Sequence, residues 1–519
     1  MGERQPLVPI VYGHGSNKPA IANRIVLAIA TAAVIAVVGV SGKLTLDSIN
    51  AKNEVASLAA QEKLVGEDAF VNPSKFVPSG DNWKSRSDVI AMAKLKPDFG
   101  NLDEEAKRAK FDAFIAEHNR EYESEEEKSY RYAKFKENLD FIDALNKYNP
   151  LALFDITDSA DFTAEERQRR RMTPEWANYE NIKAGLPQDM VYAASKSPSE
   201  VLGKTFAAPL PKSSPKGLFS SLENGSVEEE EAYRRLSMSQ GEVAWGSESD
   251  CAACSRFPSF SDYSSSNRPT NFDWRALGAV TSVKNQKYCG SCWTFSTAQD
   301  IEGVHFLAGH DLVSLSEQQL VACDVANDGC DGGYMYAAMQ YVTAIGGLVS
   351  SDAYPYKGVM MTYDLPTPTC DTGTINEFVE SRSNDLGHIE GYQMVAMGAE
   401  YEDFMATFML KNGPLSIAIN ANGMDYYVHG IVGCETIAGS EYCEAGTIAD
   451  TTPCDPTALD HGVLLTAYGE QDGIEYWMIK NSWAETWGDK GYYRLIRGCN
   501  HCGVSNFAVH SVFKQTLKR

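Results

Sequence analysis

Basic residues are in short supply in this chain of 519 residues. It contains 46 Lys and Arg against 70 Asp and Glu, and its formal net charge at pH 7 is −24. Because nucleic-acid binding needs a concentration of positive charge to meet the phosphates, this balance argues against a nucleic-acid-binding protein. The length exceeds that of one ordinary domain, so we expect two or three segments with different tasks.

Cysteine is absent from the first 250 residues. The twelve cysteines begin at Cys251, and all but Cys251 and Cys254 lie at or after Cys289. A dense group of cysteines in one part of a chain favours an oxidising compartment, in which disulfides persist. We therefore expect the C-terminal half to fold in the secretory pathway.

Long apolar runs are also scarce, and one near the N-terminus approaches the length of a membrane span. Residues 25–42 are apolar or small apart from one threonine, which is the lower limit for a transmembrane helix. Lys18 and Arg24 precede the run, so the positive-inside rule predicts a cytosolic tail at 1–24, a signal anchor and a type II topology. A cleaved signal peptide is the alternative, because the end of the run is small enough for processing.

A helical pattern follows a polar stretch at 43–110, which we interpret as a stalk. From Phe111 and Phe114 onward an apolar face develops. Six residues then recur at steps of four, four, three, four and four, namely Glu127, Arg131, Phe135, Asn138, Ile142 and Asn146. At about 100° per residue, these side chains fall on one face of a single helix. A generic amphipathic helix would be the simpler interpretation.

Residues 167–267 have the composition of a long linker, with clusters of Pro and Ser and an acidic run at 228–231. Asn224 begins an Asn-Gly-Ser acceptor for N-glycosylation. The stretch Arg167–Arg171 holds four arginines in five positions. It could be a processing site or a solvated basic run.

The stretch Gln286–Trp293 reads Gln-Lys-Tyr-Cys-Gly-Ser-Cys-Trp. A cysteine nucleophile needs a helix N-terminus and a neighbouring imidazolium to stabilise its thiolate, and the residues from Trp293 to Phe306 are predicted to form such a helix. Two cysteines three apart could also be half of a zinc site or a redox pair. However, the other close cysteine pairs lack histidines at zinc-finger spacing, apart from His501.

Two further motifs could complete a catalytic group. His461 stands in Leu-Asp-His-Gly-Val at the start of an apolar strand, and Asn481 follows in Lys-Asn-Ser-Trp. The amide oxygen of Asn481 could hold the imidazole through one ring nitrogen, and Trp483 would shield that hydrogen bond from water.

Together these motifs resemble the papain-like cysteine proteases of the cathepsin L type. The resemblance covers 268–519 and the helix from about 111 to 146, whose six spaced residues match the Glu-Arg-Phe-Asn-Ile-Asn pattern of the family's inhibitory propeptide at 111–166. With the N-terminal apolar run, the chain is similar to the type II membrane-anchored forms of protozoan parasites.

The resemblance implies an α+β, papain-like two-domain fold preceded by a helical inhibitory propeptide. Cys292 would lie in a helical left domain, and His461 and Asn481 in an antiparallel, β-barrel-like right domain. It also implies an autoinhibited cysteine endopeptidase that works through a thioester acyl-enzyme without metal or organic cofactor, in an acidic endolysosomal or vacuolar compartment. A catalytically silent binding protein and an exopeptidase are the rivals, but no nucleophile is lost and no histidine-rich occluding segment is present between residues 371 and 412.

The resemblance also assigns roles to residues. Cys292 is the nucleophile, His461 the base and Asn481 its orienting amide, while Gln286 joins the backbone N–H of Cys292 in stabilising the oxyanion. The implied substrate-binding residues are Gly332, Gly333, Tyr334, Met335, Ala418, Leu459, Asp460, Trp483 and Phe507. The S2 pocket, formed by Met335, Ala418, Leu459 and Phe507, is apolar and predicts a medium apolar side chain at P2 and poor acceptance of Arg.

The disulfides that the resemblance implies are Cys289–Cys330, Cys323–Cys370 and Cys434–Cys502. His461 lies 169 residues after Cys292, whereas about 130–150 residues are usual. The excess indicates an insertion between Cys434 and His461. Cys443 and Cys454 within it could staple a substrate-gripping hairpin, and a decorative loop is the alternative.

The chain departs from the family pattern at several positions. Of the propeptide motif Gly-x-Asn-x-Phe-x-Asp, which falls here at Asp155, Thr157, Ser159 and Asp161, only the final Asp is kept, so a pH-sensing role of the motif is in doubt. Ala484 replaces a glycine that usually follows the tryptophan. The expected partners are protein and peptide substrates, the chain's own propeptide, cystatin-like inhibitors as candidates, and the membrane through the anchor, with a monomeric enzyme.

Overall fold

The computed structural model describes residues 86–185, 264–358, 369–381, 386–433 and 454–513. The helices of these ranges are α1 (Ser87–Leu95), α2 (Glu104–Glu117), α3 (Glu125–Tyr148), α4 (Ala164–Gln168), α5 (Tyr179–Gly185), α6 (Cys292–Leu307), α7 (Glu317–Cys323), α8 (Met335–Ile345), α9 (Thr372–Ser381) and α10 (Glu402–Asn412). The strands are β1 (Ala152–Phe154), β2 (Phe272–Asp273), β3 (Gly391–Ala396), β4 (Leu415–Ile419), β5 (Tyr427–Val432), β6 (His461–Gln471), β7 (Ile474–Lys480), β8 (Tyr492–Ile496) and β9 (Ala508–Val512).

The strands form one sheet in the order β1-β5-β8-β7-β6-β4-β9-β3, with β2 paired to β6. All of these pairs are antiparallel except β5 with β8. The edge strand β1 comes from residues 86–185, here called the N-terminal segment, and its Ala152 pairs with Gly430 of β5. The other strands come from residues 264–513, here called the C-terminal region. The predicted α+β fold is confirmed.

Helix α6 is the central element of the C-terminal region. Its residues from Cys292 to His305 are buried, because α6 packs on β4 and β6 on one side and on α7 and α8 on the other. The helix predicted over Trp293–Phe306 is thus confirmed. A helix buried on all sides is a rigid support, so its first residue is held in a fixed position between the sheet and the smaller helices.

The helix predicted from the six spaced residues is α3, and it contains all of them. Its N-cap is Ser124, whose Oγ accepts a hydrogen bond from the backbone N–H of Glu127 at 3.1 Å. Phe111 and Phe114 lie on the separate helix α2, and their rings pack on Phe135 at centroid distances of 5.2 and 5.4 Å. The apolar face that starts at Phe111 is therefore shared by two helices.

The polar members of the pattern tie α3 to the chain that returns across it. Arg131 donates two hydrogen bonds to the carboxylate of Glu166 at 2.6 and 2.8 Å. The Asn138 side chain donates to two backbone carbonyls at 2.9 Å, and Asn146 exchanges bonds of 2.7 and 2.9 Å with the backbone of Phe154. Each of these polar side chains forms hydrogen bonds with buried groups that are not in contact with water.

We expect a change of Glu166 to Gln to weaken the N-terminal segment at neutral pH. Burial raises the pKa of Glu166, but its hydrogen bonds and charge interaction with Arg131 outweigh burial and lower the pKa below the usual 4.5. The stabilisation is therefore present above about pH 4.5 and is lost as the pH falls through the folded-state pKa. Glu166→Gln should reduce the free energy of unfolding by about 1–3 kcal/mol at pH 7, and by less at pH 3.

Denaturant unfolding of the full chain at both pH values measures this effect, with Cys292 replaced by Ala in every protein so that no cleavage occurs. Glu121→Gln, at an exposed position, is the matched control and should change neither value. Equal losses at pH 7 and pH 3 would contradict the assignment of this carboxylate to the acid-sensitive ion pair.

Two stretches that were predicted from their polar composition contain folded residues. The predicted stalk at 43–110 is folded from Arg86 onward, where Arg86 donates to the carbonyl of Asp472 at 2.9 Å and Lys96 donates to those of Asn146 and Asn149 at 2.7 and 2.6 Å. The stretch 167–267, predicted to be a linker or the remainder of the propeptide, is folded through residue 185. The polar sequence of these stretches does not indicate such hydrogen bonds, because each bond joins residues that are far apart in the sequence.

The predicted signal anchor at 25–42 and the glycosylation acceptor Asn224 lie outside the described residues. Within the part of the chain that the structure describes, no helix has the length and apolar character that a membrane crossing requires.

Candidate active site

Cys292 is the first residue of α6 and its side chain is buried. Its thiol takes part in no disulfide, whereas Cys289, three residues earlier, is bonded to Cys330. The turn before the helix is fixed by a hydrogen bond from Gly290 N to Cys330 O at 2.8 Å and by one from Thr294 Oγ1 to Ser291 O at 2.8 Å. The sulfur therefore lies at the positive end of a long helix, where a thiolate is stabilised.

His461 is the first residue of β6, and β6 begins where it meets the start of α6. The two elements are so close that a Cβ on Gly462 would lie 3.1 Å from Trp293 Cα and 3.3 Å from the carbonyl carbon of Cys292. Nε2 of His461 is 2.8 Å from Asn481 Oδ1. Its Nδ1 is buried and has no hydrogen-bond partner among the described residues, so this nitrogen is available to exchange a proton with the thiol.

Trp483 covers the pair formed by His461 and Asn481. The indole and imidazole centroids are 4.9 Å apart, and Trp483 is 4% exposed. Asn481 Oδ1 also accepts from the backbone N–H of Ser482 at 2.8 Å, which fixes the amide orientation. The predicted shielding of this hydrogen bond from water matches the observed arrangement.

Gln286 presents its side-chain amide near the same turn. Its Nε2 donates to the Cys289 carbonyl at 2.9 Å and to the Arg170 carbonyl at 2.8 Å. Its Oε1 accepts from Ser482 Oγ at 2.5 Å, so the donor end of the amide is held toward the cleft. A fixed donor of this kind can stabilise a developing oxyanion.

The N-terminal segment occupies the cleft in front of these residues. Met172 N donates to Asp460 O and Thr173 N to Asp331 O, both at 2.8 Å. The carbonyl of Arg171 lies so close to Gly290 that a Cβ there would be 2.5 Å from its oxygen. Residues 170–173 are therefore bonded to both walls of the cleft.

The predicted S2 residues come together in one buried cluster that also contains Met172 and Trp293. The four are Met335, Ala418, Leu459 and Phe507. Met172, an unbranched apolar residue of the N-terminal segment, is 1% exposed and belongs to the same cluster. The four predicted S2 residues are thus buried together among apolar side chains.

The predicted glycine turn lies against another residue of the N-terminal segment. The ring of Trp176 packs edge-on against Tyr334 with centroids 4.7 Å apart. A Cβ on Gly332, whose φ is +145°, would be 2.7 Å from Trp176, and one on Gly333 would be 2.7 Å from Trp293. Because glycine has no side chain, Trp176 can lie close to Gly332 and Trp293 can lie close to Gly333.

Two stretches of the chain match known families. Residues 268–512 match the papain family of cysteine proteases. Residues 111–166 match the cathepsin propeptide inhibitor domain. The chain therefore contains a papain-family cysteine protease domain and a cathepsin propeptide inhibitor domain. Its N-terminal segment is therefore called the propeptide below, and its C-terminal region the protease domain.

Curated relatives support the assignment. The chain is 38% identical over 259 residues to cysteine proteinase 1 of Dictyostelium discoideum. This match covers 47% of this chain and 65% of that protein. It is 39% identical over 245 residues to cathepsin F of Mus musculus, with 47% of this chain and 46% of that protein covered. The chain thus spans less than two thirds of the length of these relatives.

Solved structures include similar zymogens. The proform of the Amb a 11 cysteine protease, a ragweed pollen allergen, matches with a TM-score of 0.51 and 26% sequence identity, over 80% of this chain and 96% of that one. The resemblance of the sequence to papain-like proteases with an inhibitory propeptide is confirmed.

Burial shifts the pKa values of both proposed catalytic groups toward their neutral forms. Burial raises the pKa of the Cys292 thiol to about 12. Burial, aided by the positive charge of Arg171, lowers the pKa of His461 to about 3, although its hydrogen bond with Asn481 acts in the opposite direction. In the intact chain, burial therefore favours the thiol over the thiolate at Cys292 and the neutral imidazole at His461.

The disulfides differ from the expectation at one bond. Cys289 is joined to Cys330 and Cys323 to Cys370, the pairs that the resemblance implies. Cys502, however, is joined to Cys454. The predicted Cys434–Cys502 bond is therefore wrong, and so is a staple between Cys443 and Cys454.

The reason for the changed bond is the path of the chain after the insertion. Pro456 O accepts from Asn506 Nδ2 at 2.7 Å, which holds the end of the insertion against the turn that contains Cys502. Cys434 and Cys443 lie outside the described residues.

One group of side chains in the described ranges has the spacing of metal ligands. Cys454, His501 and Cys502 place their ligand atoms within 4.8 Å of one another. Because the two sulfur atoms are bonded to each other, neither is a thiolate that could bind a metal ion.

The interpretation of Arg167–Arg171 as a solvated basic run is wrong. Arg170 and Arg171 are buried. Arg170 donates to Asp158 Oδ2 at 2.6 Å and to Tyr288 OH at 3.1 Å, and Arg171 pairs with Asp425. Four arginines in an acidic chain indicate that carboxylates could pair with them. No sequence pattern identifies Asp425 as the partner of Arg171.

Ala484 has a backbone conformation that favours glycine. Its φ is +71°, and its N–H donates to Lys284 O at 3.0 Å. A side chain in the left-handed region costs about 1 kcal/mol or more. We expect Ala484→Gly to raise the free energy of unfolding of the protein with Cys292 replaced by Ala by about 0.5–1 kcal/mol.

The matched control is Ala344→Gly in the exposed part of α8, which should lower the free energy of unfolding by about 1 kcal/mol. A loss of stability in Ala484→Gly, measured by denaturant unfolding, would mean that this strain is absent.

Proposed function

We propose that this chain is the zymogen of a cysteine endopeptidase. Cys292 is the nucleophile, His461 the general base and acid, Asn481 the residue that orients the imidazole, and Gln286 an oxyanion donor. The observation that supports this most is the His461 ring, which is held at Nε2 by Asn481 while the buried Nδ1 is unpartnered beside the start of α6.

The reaction follows from these positions. The thiol proton moves to His461, and the sulfur of Cys292 attacks the peptide carbonyl carbon, whose oxygen becomes an oxyanion held by Gln286 and the N–H of Cys292. The C–N bond breaks as His461 returns the proton to the leaving nitrogen. Water then attacks the thioester, releases the acid product and restores the thiol.

The propeptide inhibits by occupying the cleft in the direction opposite to a substrate. In a substrate, the residue in the S2 pocket precedes the carbonyl that is attacked. Here Met172, which belongs to the buried cluster of the S2 residues, follows Arg170, whose carbonyl accepts from Gln286. This reversed course blocks the site without presenting a correctly placed scissile bond, so activation requires removal of the residues before about Arg268.

The test compares the intact chain with the processed protease domain. We expect the processed form to hydrolyse a peptide with Leu at P2 and to react with iodoacetamide at Cys292 at pH 7. The intact chain should react slowly, because the pKa of its buried thiol is raised to about 12. A processed, folded protein that neither hydrolyses peptides nor is alkylated at Cys292 would refute the proposal.

The S2 pocket supports a preference for a medium apolar side chain at P2. Its walls carry no charge, and Phe507 is 0% exposed at its base. Leu, Val or Pro should therefore be accepted better than Phe, and Arg poorly. A P2 library in which Arg is the best residue would contradict this assignment.

The disulfides and one acid-sensitive ion pair support a proposal for the cellular setting. The three disulfides support an oxidising compartment, and the acid-sensitive Glu166 supports activation in an acidic lysosome-like or vacuolar lumen. A signal anchor at 25–42, glycosylation at Asn224, cystatin-like inhibitors and a monomeric enzyme complete the proposal. Protease protection of the full chain in microsomes, with and without glycosidase, tests the anchor and its topology.

A further inference from the structure

The side chain of Asp324 is buried directly after the end of α7. Both of its oxygens accept hydrogen bonds: Oδ1 from the backbone N–H of Ala326 at 3.1 Å, and Oδ2 from Asn327 Nδ2 at 2.7 Å. Burial raises the pKa of this carboxyl to about 7 against the effect of these bonds, and no cation among the described residues contributes to the shift. A buried acid without a counter-charge costs free energy of folding, so stability alone does not explain its presence.

Asn327 connects this carboxylate to the glycine turn, Gly332–Tyr334. Its Oδ1 accepts from the backbone N–H of Tyr334 at 2.7 Å, and its Nδ2 also donates to Tyr334 O at 3.5 Å. A Cβ on Gly333 would lie 2.7 Å from Asn327 Oδ1. The buried amide of Asn327 therefore lies between Asp324 and the backbone of the turn, and the bond to Asp324 determines which end of the amide faces Tyr334.

Other contacts hold the loop only up to the turn. Cys330 is bonded to Cys289, and Gly329 O accepts from Trp293 Nε1 at 3.0 Å. Both contacts precede the glycine turn. Among the described residues, Asn327 is the one whose side chain hydrogen-bonds to the backbone of the turn itself. The position of the turn beside the cleft therefore depends on the orientation of this amide.

The glycine turn supports the chain that lies in the cleft. In the zymogen, Thr173 N donates to Asp331 O at 2.8 Å, directly before the turn, and Trp176 lies against Gly332. An extended substrate of the processed enzyme would meet the same surface. A displaced turn would weaken the binding of such a chain without moving the proposed nucleophile and base, which lie on α6 and β6.

We propose that Asp324 is a positioning residue for peptide hydrolysis. It fixes the amide of Asn327, and through this amide it holds the glycine turn in the conformation that binds an extended peptide. The inference rests on the proposed endopeptidase function and adds to it two residues that lie behind the cleft and do not touch the substrate.

Exchange of the two side chains tests the pairing. In Asp324→Asn, one of the two donors, Ala326 N or Asn327 Nδ2, must face an NH₂ group. In Asn327→Asp, two carboxylates face each other. The double variant Asp324→Asn/Asn327→Asp restores a complementary pair. Its new amide can accept from Ala326 N and donate to the new carboxylate, which can still accept from Tyr334 N.

The variants are processed from the full chain and assayed at pH 8, above the pKa of the Asp324 carboxyl. For an extended peptide with Leu at P2, we expect each single variant to raise KM by about 10-fold, with kcat within about twofold of wild type. The double variant should return KM to within about threefold of the wild-type value. Asp328→Asn, at an exposed position of the same loop, is the matched control and should leave both constants unchanged.

A second substrate separates positioning from general damage. 4-Nitrophenyl acetate has only an acetyl group to place at Cys292 and does not reach the glycine turn, so its kcat/KM should be the same in all variants. The proposal is overturned if the double variant has as high a KM for the peptide as the single variants, or if the ester and the peptide lose equally.

A single variant that does not fold leaves the decision to Asn327→Ala, which buries no additional charge. Its KM for the extended peptide should also rise by about 10-fold, and a wild-type KM would overturn the proposal. A processed wild-type protein that hydrolyses neither the peptide nor the ester would instead refute the proposed endopeptidase function.

Discussion

Alanine in place of Cys292 should abolish peptide hydrolysis by the processed protein, with a loss in kcat on the order of 10⁶-fold, as for a missing nucleophile in other triads. The sulfur is the proposed nucleophile at the start of α6, and the adjacent Ser291 hydroxyl is hydrogen-bonded to Tyr356 OH at 2.8 Å. Fluorogenic peptides with Leu at P2, assayed against active-site-titrated wild type, measure the effect.

Folding must be intact for this result to bear on the mechanism. Cys292→Ala removes one buried atom, so the full-length variant should unfold cooperatively and keep its propeptide bound. Ser291→Ala is the matched control next to the nucleophile, and it should retain most of the activity. Hydrolysis by Cys292→Ala at a substantial fraction of the wild-type rate would refute the assignment of Cys292 as the nucleophile.

Gln286→Ala should lower kcat by about 10²- to 10³-fold, with a much smaller change in KM. In the zymogen the Nε2 donor of Gln286 binds the Arg170 carbonyl at 2.8 Å, and after propeptide removal the same donor is available to the substrate oxyanion. Because the oxyanion forms only as the sulfur attacks, the loss should appear in the chemical step and not in substrate binding.

Gln286→Glu sharpens the test, since it keeps the shape and replaces the donor with an anion. It should be at least as impaired as Gln286→Ala, through repulsion of the oxyanion. Both variants should also bind the free propeptide more weakly, because the bond to Arg170 is lost. A wild-type value of kcat for Gln286→Glu would show that the Gln286 amide does not stabilise the oxyanion.

The sequence predicted those parts of the site that are written in contiguous motifs. Cys292 and Gln286 lie within one stretch of eight residues, and the helix that follows is buried as the pattern indicates. The spacing from Glu127 to Asn146 predicted α3, because a period of 3.6 residues is a local property of the chain. Contiguous motifs and periodic patterns can be identified directly in a single sequence.

The errors all concern contacts between distant residues. Arg171 and Asp425 are 254 positions apart, and the run of arginines does not reveal which carboxylates it meets. Cys502 could be paired correctly only by knowing where the insertion returns, and it returns with Cys454 beside it. The sequence also does not indicate which residues of 43–110 and 167–267 are folded, because a few long-range hydrogen bonds, such as those of Lys96, determine whether a polar segment is folded.

Maturation also changes the edge of the sheet. Strand β1 belongs to the propeptide, and Leu151 O accepts from Ile431 N of β5 at 2.8 Å. Without the propeptide, β5 would be at the border of the sheet among the described strands, and extended chains can pair with the backbone of such a strand. We therefore expect the processed enzyme to be more prone to aggregate than its precursor.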